Sequence, residues 1–152
     1  EPHDQLEANA HEKAVTIFNL THQNCFSEDT GLEIVALNGA PGVKSARYAG
    51  ENSNAQANID LVLSKMTGIE NRSAQFRTVI CLIWKAQTYY FEGICKGQIL
   101  SNMQGENGFG YDPIFVPDGA TKSFANMTMD EKNTFSHRKK AVMQLFDFLE
   151  KL

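Results

Sequence analysis

The chain has 152 residues, of which 42% are hydrophobic and 21% charged, and its formal net charge is -4. That length suits a single domain with one buried core, and no run approaches the ~18 consecutive apolar residues that a membrane-spanning helix needs. An acidic balance argues against a general nucleic-acid coat, because phosphate-backbone binders need a basic face, so a polyanionic ligand must be met by local cations or a metal.

The stretch Leu6 to Leu20 is rich in helix formers and puts Leu6, Ala10, Ala14 and Phe18 on one stripe, which predicts a helix. Cys25 and Phe26 open a short strand running into Glu28-Asp29-Thr30-Gly31, and Leu32 to Leu37 reads as a second extended run, so the two carboxylates are expected in a turn between strands. Asn38 to Gly50 has the Gly, Pro and Ser content of an ordered loop. Ala55 to Met66 has helical spacing and precedes a polar break at Gly68 to Arg72. Phe76 to Trp84 and Thr88 to Lys96, linked by Lys85-Ala86-Gln87, predict a hairpin.

Ser101 to Gly110 then reads as a loop, Pro113 to Val116 as a short extended piece, and Thr128 to Phe135 as a short helical turn. Ser136 is the expected N-cap of a closing helix whose apolar face is Ala141, Leu145, Phe148, Leu149 and Leu152. The fold class is therefore α/β or α+β, helices flanking a mixed central sheet in one domain spanning residues 1–152. Cys25, Cys81 and Cys95 are odd in number and form no CxxC pair, so reduced core thiols are expected in place of a disulfide framework or zinc site. No signal peptide is evident, which makes the cytoplasm the expected compartment.

Three segments carry candidate chemistry. In SEDTGLE, Ser27 to Glu33, adjacent carboxylates can hold Mg²⁺ and polarise a water, although an acidic surface turn reads the same way. In GENGFGYDPIFVP, Gly105 to Pro117, glycines permit close backbone approach while Phe109 and Tyr111 offer faces on which a base could stack; Asp112 is expected extended before Pro113. In EKNTFSHRKKA, Glu131 to Ala141, a hydroxyl, an imidazole and a guanidinium meet at a helix start, where cations oppose the helix dipole and so lack a structural reason to be.

Together with NGAPGVKSARYAGE at Asn38 to Glu51, these segments resemble the inosine triphosphate pyrophosphatase family, over essentially the whole chain. The resemblance implies a two-lobed, elongated α/β subunit with a central cleft, commonly a homodimer, that uses Mg²⁺ to cleave ITP, dITP or XTP to the monophosphate and pyrophosphate. It implies Asp29 as the water-activating group, Glu28 and Asp29 as metal ligands, Lys13 facing the triphosphate, and Thr30 among the substrate-binding residues. Phe109, Asp112, Lys132, Ser136, His137 and Arg138 are then expected around the purine and sugar. No nucleic acid or membrane partner is implied.

Some positions depart from the family pattern. Ala8 stands where a metal-facing Glu is common, leaving open whether Glu7 substitutes; Lys44 stands for a usual Tyr and Asn126 for an acidic residue. The pattern also opens on a strand with an SNNxxK-like phosphate motif, which precedes the region matched by Glu1 onward. One βα unit, about 30 residues, is thus expected to be missing from this chain, and turnover to be weak without it. A nucleotide-binding module without turnover is the alternative reading, and an assembly partner a third.

Overall fold

The computed structural model describes residues 3–106 and 108–152; Glu1, Pro2 and Asn107 of the predicted glycine-rich loop lie outside the described residues. Helix α1 spans Leu6–Thr21, α2 Ala55–Lys65, α3 Met129–Phe135 and α4 His137–Glu150; strands β1 to β4 span Cys25–Ile34, Ser73–Trp84, Gln87–Ile99 and Phe115–Pro117. The expected class holds, with helices flanking a central sheet. Its order is β1-β2-β3-β4 and its three pairings are all antiparallel, where a mixed sheet was expected.

Strand β2 organises both layers. Its run Val79-Ile80-Cys81-Leu82-Ile83 is buried throughout, as expected for a central strand covered on both faces. Val79, Cys81 and Ile83 meet Leu6, Ala10 and Ala14 of α1, while Ile80 and Leu82 meet Ala141 and Leu145 of α4. Side chains alternate along a strand, so α1 and α4 occupy opposite faces of the sheet. A third cluster, built on Leu32, Phe76, Phe115, Ile59 and Val62, covers the α4 face farther along and brings in α2. A cleft opens between this cluster and α4.

Several local expectations change. The Glu28 to Gly31 segment is not a turn: β1 runs unbroken from Cys25 to Ile34, paired in register with β2 from Ile83 to Ala74. A hydrogen bond of 2.8 Å between the Thr30 and Thr78 hydroxyls joins the two strands there. Extended structure then stops at Ile34, and Val35–Leu37 forms a 3-10 turn. Asp112 is not extended before Pro113 but opens a 3-10 turn, Asp112–Ile114, ahead of β4. Leu152, past the end of α4, is 63% exposed and leaves the predicted apolar face.

The predicted hairpin closes with only Lys85 and Ala86 in the turn, at φ 49° and 64°, because Trp84 pairs with Gln87. The thiols stay free, and burial pushes those of Cys81 and Cys95 up to about 11, which keeps them protonated. No helix among the described residues is long and apolar enough to cross a membrane.

The loop from Asn38 to Gly50 is held by buried polar groups. The Leu32 amide donates to the Ser45 hydroxyl (2.9 Å), and the Tyr111 hydroxyl donates to the Ser45 carbonyl (2.6 Å). Asn58, buried on α2, accepts from the Ala49 amide (2.8 Å) and donates to the Ala46 carbonyl (2.9 Å). Replacing Asn58 with Ala strands both backbone groups. We expect a loss of about 1–3 kcal/mol, the cost of unmet buried partners, read as a lower urea midpoint at unchanged slope.

Candidate active site

The adjacent carboxylates Glu28 and Asp29 leave β1 on opposite faces. Asp29, buried, points to the α1 side, where Lys13 donates to its Oδ1 (3.3 Å) and to the Glu28 carbonyl (3.1 Å). Glu28 points to the α4 side, where its Oε1 lies 2.9 Å from Arg138 Nε. This pair also explains a cation in the first turn of a helix: a carboxylate from the neighbouring strand offsets the unfavourable dipole.

On the α4 side the sequence supplies two successive helix starts. Thr128 caps α3 through a capping box with Glu131, and Ser136 caps α4 by accepting from the Lys139 amide (3.1 Å). Lys132, on α3, thereby reaches the glycine-rich loop: its ammonium lies 2.6 Å from Asp112 Oδ2 and 4.7 Å from the centre of the Phe109 ring. The Phe109 amide donates to the same Asp112 oxygen (3.1 Å). Asp112 therefore ties the loop to α3, and the Phe109 ring stays 72% exposed at the cavity mouth. Tyr111 is not a stacking face as expected; it is buried, with its hydroxyl on Ser45.

His137 opens α4. Its ring lies nearly parallel to Phe76, with centres 5.0 Å apart and an angle of 15°. Burial, then the positive charges of Arg138, Lys132 and Lys140, bring its pKa from 6.5 down to about 4, so it is neutral at neutral pH. Its Nδ1 is buried and finds no hydrogen-bond partner among the described residues. A neutral imidazole offers one donor and one acceptor, so this group can complement a ligand edge of either sense.

These residues converge on a cavity of about 750 Å³ between α2 and α4. Of the sequence-predicted set, Thr30, Phe109, Asp112 and Lys132 line it together with Ser136, His137 and Arg138. Glu28 reaches it through Arg138, while Asp29 and Lys13 lie on the other face of the sheet. Sequence reading missed Phe76, Ser45 and Asn58, which also line it; Phe76 lay in a strand, Ser45 stood inside the NGAPGVKSARYAGE segment without being singled out, and Asn58 carried no local motif.

The carboxylates bear on the expected magnesium. One ion bound by both side chains does not fit consecutive residues of a regular strand, which diverge to opposite faces. Glu7, next to Ala8, has its carboxylate on Arg77 at 3.1 Å. Among the described residues no three His, Cys, Asp or Glu side chains converge as a metal cage. An ion that arrives on phosphates, the usual arrangement for Mg²⁺, needs no more than one or two carboxylates from the protein.

Comparison with known proteins gives a consistent result. The model of the Ham1 family matches residues 1–148. The dITP/XTP pyrophosphatase of Flavobacterium johnsoniae is 50% identical over 146 residues, covering 96% of this chain and 76% of that protein. The dITP/XTP pyrophosphatase of Porphyromonas gingivalis is 50% identical over 147 residues, again covering 96% and 76%. Among solved structures, the Staphylococcus aureus Ham1 protein superposes with a TM-score of 0.96 at 40% identity, covering 99% of this chain and 79% of that one.

The depressed His137 pKa makes a signed prediction. The folded state resists protonating this ring, so the stability gained from keeping it neutral is present above the unfolded value of 6.5 and is lost as pH falls toward about 4. The stability difference between wild type and His137→Gln is expected to narrow over that window. Urea titrations at pH 7, 5.5 and 4 measure it; a constant difference would show that His137 titrates normally in the fold.

Proposed function

The chain belongs to the Ham1 family, and on that footing we propose that it hydrolyses non-canonical purine nucleoside triphosphates, ITP, dITP and XTP, to the monophosphate and pyrophosphate. The observation that carries this reading is the meeting, in one cavity, of an exposed aromatic ring, a neutral imidazole and two placed cations. That is the equipment for a purine: Phe109 stacks on the base, while His137, Arg138 and backbone amides address its edge. Hypoxanthine and xanthine carry a 6-oxo acceptor that meets these donors. Adenine carries an amino donor there, so accepting it would leave buried donors unmet, a mismatch that can discriminate strongly.

In this reading Lys132 and Asp112 hold the stacking loop, and Thr30 and Ser136 contribute hydroxyls near the sugar and phosphates. Asp29, oriented by Lys13, takes the proton of a water whose oxygen bonds to the α-phosphorus. The α–β bridging bond breaks and pyrophosphate leaves. Magnesium, carried by the triphosphate, supplies neutralisation of phosphate charge when bound. Glu28 serves by holding Arg138. Homodimer assembly and a cytoplasmic location belong to the same reading; they are supported by the resemblance, and light scattering on the purified chain tests the first.

Pyrophosphate release from ITP against ATP, with Mg²⁺ present, is the direct test, and no preference for ITP would sink the reading. Asp29→Asn should lower kcat by ~10² or more, the scale of losing a general base, with ITP binding largely kept. Phe109→Ala should instead raise KM for ITP by about tenfold, since base stacking is worth ~1–3 kcal/mol. An unchanged KM would remove Phe109 from the base site.

A further inference from the structure

Helix α4 rests on the sheet at a distance that only glycine permits. Gly93 sits opposite Thr78 in the β2–β3 register, on the same face as Ile80 and Leu82. A Cβ placed there would overlap the carbonyl oxygen of His137 and lie 2.7 Å from the backbone nitrogen of Ala141. Both obstacles are backbone atoms of the first turn of α4, so no side-chain rotation relieves them; the helix itself must lift. Glycine weakens a strand interior, and its presence there marks a close backbone approach.

The seat is locked on either side of Gly93. Gln144 donates to the Glu92 carbonyl (2.8 Å) and accepts from the Glu92 amide (3.4 Å), while Lys140 donates to the Ile94 carbonyl (2.8 Å). Helix α4 is thus zipped to β3 one residue before and one residue after the glycine. The same first turn carries His137 on Phe76 and Arg138 on Glu28. Its height above the sheet therefore fixes where both groups stand in the cavity.

We propose that Gly93 is the positioning residue for base selection: by letting the first turn of α4 rest on β3, it sets the height of His137 and Arg138 and hence which purines the cavity accepts. This inference rests on the base-reading role given to that turn above. It assigns the selectivity to a residue that touches no substrate. Misplacing a polar group by about 1 Å is enough to forfeit much of its effect.

The test compares IMP and AMP binding by calorimetry, together with kcat and KM on ITP and ATP, for wild type, Gly93→Ala and the double variant K140M/Q144L. Gly93→Ala should lower the IMP-over-AMP preference about tenfold or more, the scale of one good hydrogen bond lost or misaligned. The loss should appear in KM for ITP more than in kcat, because Asp29 acts from the other face of the sheet; a merely destabilised fold would not separate the two. If Gly93→Ala does not fold by thermal melting, K140M/Q144L, which removes the exposed ties of α4 to β3 and, with Lys140, one of the positive charges around His137, should still lower the preference about threefold. A folded Gly93→Ala with wild-type preference, or an unchanged preference in the double variant, overturns the inference. A wild type that binds IMP and AMP alike overturns the base-reading role itself, and this inference with it.

Discussion

Side chains leave an extended strand alternately, and in β1 that rule separates Glu28 from Asp29. Glu28 belongs to the face covered by α4, and Asp29 to the face covered by α1. The separation is rigid because β2 beside them is apolar and buried on both sides, packing α1 through Val79, Cys81 and Ile83 and α4 through Ile80 and Leu82. A one-residue slip between the strands would turn every one of these side chains to the wrong layer. In the function proposed above, base recognition and water activation therefore fall on different faces of β1, an edge of the described sheet.

The charges around this edge are arranged as pairs. Lys13 with Asp29, Lys132 with Asp112, and Arg138 with Glu28 each hold a cation ready without leaving it unpartnered in an acidic protein. Of these only the Arg138–Glu28 pair is partly exposed on both sides, where an ion pair adds little stability; the effect of all three here is to fix positions. Arg77 has a different place. It is nearly buried on the α1 face between Glu7, Glu33 and Glu92, and these carboxylates hold its guanidinium charged against the cost of burial. That network ties α1 to three strands.

The cavity gets its shape from groups with no chemistry of their own. Ser45, Asn58 and Tyr111 lock the loop after β1 against α2 and the sheet, and Phe76 provides the platform for His137. The same platform contributes to the burial that keeps the imidazole neutral beside three positive side chains. Packing and electrostatics are therefore one property at this site: a looser contact with Phe76 would admit water and bring the ring back toward its ordinary titration.

Much of this was legible in the sequence, for stated reasons. Helical spacing, the Ser136 cap and the β-prone runs of the hairpin are local signals, and local physics honours them. The long motifs around Glu28, Phe109 and His137 marked the residues that line or adjoin the cavity. The sequence misled at SEDTGLE, where Asp and Gly suggest a turn: ten cross-strand pairs with β2 outweigh that local preference. It was silent on Phe76, Asn58 and Gly93, whose roles arise from neighbours 61, 9 and 44 residues away, His137, Ala49 and His137 in turn. By itself the sequence determined the helices, the hairpin and most of the polar groups that line or adjoin the cavity, because those signals depend on neighbours in the chain. Only the tertiary structure decided on which face each group stands and how closely α4 approaches the sheet, because register and packing distance are set between segments remote in sequence.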